Sequence, residues 1–228
     1  MDNQLLALLQ FGDSNFPSGA FSHSYGLETY IQEGTIHDKE TFFSWIRMFL
    51  EKQLAATDGL ACRLALDAIR QSRVNEIWAL DRKLFMQNIP KETRQANRRI
   101  GERLIKMGRD LYSIPLLEDY QMKIKHSEAY GHPAIVFAII SQFLNISQHQ
   151  IMLTYLYSTV GTLVQNAVRG IPLGQTAGQQ VLLELQPYLV ETVKRINKMD
   201  QDDFGAVAPG IEIAQMRHER LHVRLFMS

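Results

Sequence analysis

The sequence lacks several features that would assign it quickly to a functional class. Cys62 is its only cysteine, which excludes an internal disulfide framework and a paired-cysteine metal knuckle. Lysine and arginine together number 24, as do aspartate and glutamate, so no net charge draws the chain to nucleic acid or anionic lipid. The longest apolar run, residues 134–140, is far shorter than the roughly 20 residues that cross a bilayer. The N-terminal region has no basic segment typical of a signal peptide, and we expect a cytoplasmic protein.

Apolar residues at helical spacing are what the sequence has in abundance. Hydrophobic residues make up 46% of the 228 positions, and nearly every segment repeats them at the intervals of an amphipathic helix. No segment alternates apolar and polar residues clearly in the manner of a strand. The length suits one domain with a sizeable core. We therefore predict an all-α, single-domain bundle of about ten helices over residues 1–228.

Caps and prolines predict where helices begin and end. Asp38, Asp58 and Ser147 are placed to cap helices, as is Thr176 paired with Gln179. We expect one helix over about 20–33, a buried central helix over 134–144, and a new helix starting at Pro187. The tail, at about 211–228, follows a polar turn, so we expect a mobile docking element outside the core.

The pattern His218-Glu219-Arg220-Leu221-His222 matches the HExxH motif of zinc hydrolases. On a helix the two histidines would share a face and could bind zinc, with Glu219 as general base. A third ligand usually lies downstream, yet the six residues after His222 include no His, Asp or Glu. A chance match in a basic, partner-facing tail is the better interpretation. A metal-dependent hydrolase that uses His218, Glu219 and His222 stays open as the alternative function.

Other features predict neither catalysis nor phosphate binding. Residues 12–19 resemble a phosphate loop only in glycine spacing, because Ala20-Phe21 stands where a Lys-Ser/Thr pair is required. Seven basic residues lie within 91–109, but aromatic residues do not interleave with them. A solvated face, or a docking face for an acidic partner, fits that segment better than a nucleic-acid interface. The residues alone therefore indicate a helical interaction protein and not an enzyme.

Three blocks of the sequence together resemble the UreF family of urease accessory proteins. They are LLQFGDSNFPSGAFSHSYGLETYIQEG at 8–34, VRGIPLGQTAGQQVL at 168–182 and IEIAQMRHERLHVRLFMS at 211–228. Each block is weak alone, but their order and spacing cover almost the whole chain. His23 is a mild departure within the first block.

The resemblance implies an all-α homodimer that binds UreD (UreH in some systems) and the GTPase UreG. The assembly would support GTP-dependent nickel insertion into the urease apoprotein. It implies no catalytic residue, no metal ligand, no stably bound cofactor, and no nucleic-acid or membrane partner, since nickel is handled by the assembled complex. The residues expected to contact UreD lie in the tail: Arg217, His218, Glu219, Arg224, Leu225 and Phe226. Those expected to contact UreG follow a long helix: Arg169, Pro172, Gly174 and Gln175.

The other matched positions are expected to shape the fold: Pro17, Gly19, Ser22, Tyr25, Gly26, Glu28 and Gln179. Glycine at 19 and 26 would permit tight turns or a close helix approach. Gln175 and Gln179 would tie the Pro-Leu-Gly-Gln turn by amide hydrogen bonds. Arg224 carries five donors on a planar fork, which suits it to clamp carbonyls or a carboxylate in an interface.

Overall fold

The computed structural model describes residues 2–13 and 16–228, and this part of the chain contains no β-strand. The prediction of an all-α, single-domain bundle is confirmed. No helix in the described residues is long and apolar enough to cross a bilayer. The α-helices are α1 (Asp2–Gly12), α2 (Leu27–Gln32), α3 (Lys39–Met48), α4 (Leu60–Arg70), α5 (Val74–Gln87), α6 (Lys91–Tyr112), α7 (Pro115–Lys125), α8 (Pro133–Phe143), α9 (Gln148–Gly170), α10 (Gln175–Ile196) and α11 (Pro209–His218), with 3-10 turns at Ala20–Ser22 and Gln201–Asp203.

Helices α3 and α4 belong to one continuous helix, because a π-helical segment, Phe49–Gly59, joins them. The backbone angles stay helical across both joints. Asp58 therefore caps no helix, and the prediction that it does is wrong. Its carboxylate accepts a hydrogen bond from Tyr155 Oη at 2.8 Å, so a tertiary contact uses the side chain that local sequence assigns to a cap.

The start of α10 and the position of Pro187 also differ from the predictions. Gly174, without a side-chain cap, precedes the first residue of α10, so Thr176 is not the cap. Pro187 lies inside α10 and starts no helix. Leu185 and Leu189 flank it and are buried, and this packing keeps the helix continuous across the missing N–H.

Two predicted caps are confirmed by their hydrogen bonds. Asp38 accepts from Thr41 N at 2.8 Å at the start of α3. Ser147 accepts from Gln150 N at 3.4 Å at the start of α9. In both cases a side-chain oxygen satisfies an N–H of the first turn that has no partner within the helix.

Helix α8 is the buried centre of the bundle, as its apolar sequence predicts. Its residues 133–141 are all buried, and it packs against α4, α6 and α9. Cys62 on α4 is also fully buried, and burial raises the pKa of its thiol. The core thus lies along α4, α8 and α9, and the polar clusters described next lie around it.

Candidate functional site

The first and third matched sequence blocks meet at one place in the structure, beside the last turn of α9, where the second block begins. Residues 22–28 precede and begin α2, residues 166–169 lie in the last turn of α9, and residues 218–228 end α11 and follow it. Asn166 Nδ2 donates to the main-chain oxygen of His23 at 2.8 Å. His23 Nδ1 lies 2.8 Å from Ser228 Oγ, although these residues are 205 positions apart. We call these three segments together the motif junction.

A sharp turn at Tyr25 and Gly26 brings α2 against α11. Both residues have left-handed backbone angles, with φ of 52° and 89°, so the helix predicted over 20–33 is divided here. A Cβ on Gly26 would lie 3.2 Å from Gln215 Cγ, which is closer than an ordinary van der Waals contact, so the residues of α11 that face it would have to shift slightly. The main-chain oxygen of Tyr25 accepts from Gln215 Nε2 at 3.3 Å. The expected role of Gly26 in a close helix approach is therefore confirmed.

The C-terminal segment is anchored to residues 22–24 by main-chain hydrogen bonds. Met227 N donates to the main-chain oxygen of Ser22 at 2.7 Å. Ser24 N and Oγ both donate to the main-chain oxygen of Ser228, at 2.5 and 2.7 Å. The tail thus has the tertiary anchors that its sequence does not reveal, and the expectation of a mobile segment outside the core is wrong. Its role as a docking element stays a prediction.

Glu28 is the buried carboxylate at the centre of the motif junction. It accepts from Leu225 N at 2.6 Å and from Phe226 N at 3.1 Å. Its other neighbour is His218, whose Nε2 lies 2.9 Å from Glu28 Oε2. A single side chain from the first sequence block therefore fixes the path of the third.

Glu92, in the first turn of α6, closes this cluster from the opposite side. Its Oε2 lies 2.6 Å from His218 Nδ1, and its Oε1 accepts from Arg224 Nη1 at 2.7 Å. Both ring nitrogens of the fully buried His218 therefore face carboxylates. The His218 ring thus lies between a carboxylate of the first sequence block and a carboxylate of α6.

Arg169, at the end of α9, is held by neutral groups. Its Nη2 donates to the main-chain oxygen of Phe21 at 2.8 Å and also to Asn166 Oδ1. Its guanidinium lies 5.1 Å from the ring centre of Phe226, which is buried. The arginine is thereby held in one position on an exposed part of the surface, with no carboxylate among its described partners.

Two ionisable side chains of the motif junction are strongly perturbed. Burial, together with the Arg99 and Arg103 guanidiniums, lowers the pKa of His23 to about 4. Burial, with the nearby charge of Asp58, raises the pKa of Tyr25 well above its usual range. His23 is therefore neutral near pH 7, and its Nδ1 can share a proton with Ser228 Oγ.

Tyr25 also lines a partly open cavity of about 120 Å³. Its hydroxyl donates to Asn97 Oδ1 at 3.2 Å, and Asn97 Nδ2 lies 3.2 Å from His132 Nε2. Apolar side chains such as Phe137 share the lining with these polar groups. On the side of the motif junction, the polar groups of the cavity wall are therefore hydrogen-bonded to one another.

The HExxH pattern does not have the geometry of a zinc site. Helix α11 ends at His218, so His222 does not lie on the same helical face. Both nitrogens of His218 face carboxylates of its own chain, while His222 is exposed. Within residues 2–13 and 16–228, no three His, Cys, Asp or Glu side chains are arranged to hold a metal ion. The arrangement of His218, Glu219 and His222 therefore does not favour a metal-dependent hydrolase.

The residues expected to contact partners divide into exposed and buried groups. The exposed ones are Arg169, Pro172, Gly174, Gln175, Arg217, Glu219, Arg224 and Leu225. Arg217 also pairs with Glu33 at 3.0 Å. His218 and Phe226 are buried in their own chain, so direct contact of either with a partner would require the tail to move.

The positions expected to shape the fold behave differently from one another. Ser22, Tyr25, Gly26 and Glu28 belong to the motif junction, while Pro17 is exposed beside it. Gly19 has a φ of 81° and lies under the Arg103 guanidinium. Gln175 and Gln179 both lie exposed, and neither side chain forms a hydrogen bond to the turn within the described residues, so the prediction that they tie the turn is wrong. Of residues 12–19, positions 14 and 15 lie outside the described residues.

Glu92, Asn97 and Asn166 are the site residues that the sequence did not predict. Glu92 has an ordinary position in the first turn of a helix, where an acid is common for local reasons. Asn166 and the preceding Gln165 are amides in an otherwise largely apolar stretch of α9, which is the one available signal. None has a local pattern that identifies its distant partner.

The comparisons with known proteins show the family of the chain. A family model described as UreF matches residues 36–186. The urease accessory protein UreF of Bacillus sp. (strain TB-90) is 54% identical over 226 residues, which cover 99% of this chain and 100% of that protein. The urease accessory protein UreF of Lachnoclostridium phytofermentans is 51% identical over 228 residues, which cover all of both chains.

Proposed function

The chain belongs to the UreF family of urease accessory proteins, and from this premise we propose that it joins UreD (UreH) to the GTPase UreG. The assembly would support GTP-dependent nickel insertion into the urease apoprotein. In this proposal the chain is a cytoplasmic homodimer and not an enzyme. Nickel is the cargo of the complex, and no cofactor resides in this chain.

The motif junction is the observation that carries the proposal. Segments far apart in the sequence are joined there by hydrogen bonds, and apolar side chains nevertheless stay exposed. Phe21, Leu225 and Met227 are each more than half exposed, although large apolar side chains are usually buried. A rigid surface that keeps such side chains in solvent is typical of a protein-binding site.

The proposed UreG contact is the turn between α9 and α10. Arg169, Pro172, Gly174 and Gln175 are all exposed, whereas Leu173 between them is buried and holds the turn to the core. The Arg169 guanidinium is fixed by Phe21 and Asn166, so little side-chain entropy would be lost when a partner binds it. This position favours recognition of a carboxylate or carbonyl by that arginine.

The proposed UreD contact is the outer side of the tail. Leu225 and Met227 alternate with the buried Phe226, so one side of the extended segment packs inward and the other faces solvent. In this proposal His218 and Phe226 act indirectly, because they hold the segment in shape. Arg217, Glu219, Arg224 and Leu225 would make the contact itself.

A pull-down of the full chain with purified UreD and UreG, singly and together, tests the proposal. We expect capture of both partners, and loss of UreG but not of UreD with Arg169→Ala. Arg195→Ala is the matched control, since Arg195 is also exposed and donates to a main-chain oxygen, that of Glu51. Both variants should keep the helical circular dichroism of the wild type.

Equal capture of UreG by Arg169→Ala and the wild type would remove the assigned contact. Failure of the wild type to capture either partner would contradict the proposed function itself. Calorimetry with GTP provides a further check, because the isolated chain is expected to give no binding heat. Micromolar GTP binding would indicate a nucleotide site that the proposal does not contain.

A further inference from the structure

Phe21 is an exposed aromatic side chain held on a well-defined turn. Its side chain is 54% exposed. The 3-10 turn that carries it is closed by hydrogen bonds from Ser22 N to Gly19 O at 3.3 Å and from His23 N to Ala20 O at 3.1 Å. An aromatic ring presented in this way can bury a large area in a partner at little entropic cost.

Arg103 and Arg169 contact this turn, and Arg99, exposed on α6, lies near enough to His23 to lower its pKa; we call these three residues the arginine cluster. Arg103 Nη1 donates to the main-chain oxygen of Ser18 at 3.3 Å. Its guanidinium occupies the open face of Gly19, where a Cβ would lie 1.8 Å from Nη1. Arg169 donates to the main-chain oxygen of Phe21 itself. The turn is thus bonded to two of the three guanidiniums.

The charge of the arginine cluster is not offset by acidic side chains. Within the described residues, no carboxylate forms an ion pair with any of its three members. Two other arginines of α6 differ in this respect, because Arg98 pairs with Glu102 and Arg109 pairs with Glu118. The acceptors of the cluster are neutral carbonyl and amide oxygens, so its positive charge remains available to a partner.

The lowered pKa of His23 supports this description of the local field. Burial is the largest cause, and the Arg99 and Arg103 guanidiniums follow it. Glu92 acts in the opposite direction but does not compensate. A chain with no net charge therefore carries a locally positive surface beside an exposed aromatic ring.

We infer that Phe21 and the arginine cluster form a docking surface for an acidic face of the partner GTPase, with the Phe21 ring entering an apolar depression of that face. The inference rests on the proposed function, because Arg169 is also the residue assigned to UreG. It adds Phe21, Arg99 and Arg103 to the contact and states the charge of the partner. A protein fits better than a nucleic acid, because one aromatic ring and three arginines form a compact patch and not an extended basic stripe.

The test measures binding of purified UreG to variants of the full chain at low and at high salt. Arg99→Glu and Arg103→Glu should each weaken binding at least about tenfold at low salt, and less at high salt. Phe21→Ala should weaken binding by about tenfold or more at both salt concentrations. Arg195→Glu is the matched control and should change the affinity less than about twofold. Circular dichroism and thermal unfolding must match the wild type.

The outcomes separate this inference from the proposed function. If the wild type captures UreG and the cluster variants bind it equally well, the inference is overturned and the proposed function stands. If the wild type does not capture UreG, the proposed function fails, and polyglutamate is then used as the acidic probe. Salt-sensitive binding of polyglutamate that Arg99→Glu removes would still support an acidic partner. Tighter binding of single-stranded RNA than of polyglutamate at equal salt would overturn the inference of an acidic protein partner.

Discussion

Glu28 and Asp81 are the two fully buried acidic side chains among the described residues, and both bind main-chain N–H groups. Glu28 holds the tail. Asp81 accepts from His132 N at 2.8 Å, from Gly131 N at 3.3 Å and from Tyr120 Oη at 2.6 Å. Burial and the Asp81 charge raise the pKa of the Tyr120 hydroxyl, which therefore stays a donor. These carboxylates replace the water that buried N–H groups would otherwise need.

Asp81→Asn should destabilise the fold by about 2–4 kcal/mol, because a neutral amide cannot accept from all of these donors. Urea denaturation measures the change in the free energy of unfolding. Tyr120→Phe is the control, and it should cost only about 1 kcal/mol because one donor is removed and the carboxylate keeps the others. A change below about 0.5 kcal/mol for Asp81→Asn would contradict the assigned role.

The stability of the fold should depend on pH through His23. Its pKa is lowered from 6.5 to about 4, so between these values the unfolded chain binds a proton that the folded chain does not. The free energy of unfolding should therefore fall as the pH drops through this range, by at most about 1.4 kcal/mol per pH unit from this residue. When the free energy of unfolding is measured by urea denaturation from pH 7 to 4, it should change less with pH in His23→Gln than in the wild type. An identical dependence on pH would refute the role assigned to His23.

At the level of helices and segments, the tail is part of the fold. Truncation after Ala214 would remove Phe226 and leave Glu28 buried without its partners. Loss of a buried aromatic side chain and of a buried charge partner costs about 3–5 kcal/mol each. We therefore expect the melting temperature to fall by more than about 10 °C. The sequence alone predicts a mobile tail whose removal leaves the melting temperature nearly unchanged. An unchanged melting temperature would therefore contradict the anchored tail of the structure.

The contact between α6 and the turn before α8 depends on a glycine. A Cβ on Gly101 would lie 1.5 Å from the main-chain oxygen of Gly131, so the two elements would have to separate. Gly101→Ala should destabilise the protein by about 3 kcal/mol or more. Gly161→Ala in α9 is the matched control, because nothing lies within 4 Å of its added Cβ. That control should be neutral or stabilising by up to about 1 kcal/mol in thermal unfolding.

At the level of the whole molecule, α1 and its surroundings indicate where two copies could meet. Leu5, Leu6 and Leu9 are exposed on α1, and Leu5 and Leu9 form one edge of a groove of about 750 Å³ between α1, α9 and α10. Asp13 is the one charged residue among the described residues that line the groove. A ridge and a groove side by side on one chain can fit together across a two-fold axis.

Light scattering at tens of micromolar protein should therefore give the mass of a dimer. Leu9→Glu should shift the measured mass toward that of the monomer, because a second negative charge would be buried in a largely apolar groove that already contains Asp13. Met86→Glu is the control, since Met86 is an equally exposed apolar residue on α5 and should leave the dimer intact. A monomer mass for the wild type would contradict the prediction of a homodimer, and a dimeric Leu9→Glu would place the interface elsewhere.

The sequence by itself determined the class of fold and the family. Helical periodicity predicts the α-helices because spacing along a helix is a local property, and the caps Asp38 and Ser147 act within one turn. The apolar sequence of α8 likewise requires burial on all sides. The three blocks identify the family because their order and spacing are read directly from the chain.

Only the tertiary structure decided how the tail is held, why Asp58 caps nothing and why α10 continues through Pro187. In each case a contact between distant residues outweighs a local preference of about 1–3 kcal/mol. His218 is the clearest example, since the sequence places it in an HExxH pattern and the fold places it between Glu28 and Glu92. Local patterns state which groups need partners, but the packing of helices selects which partners they find.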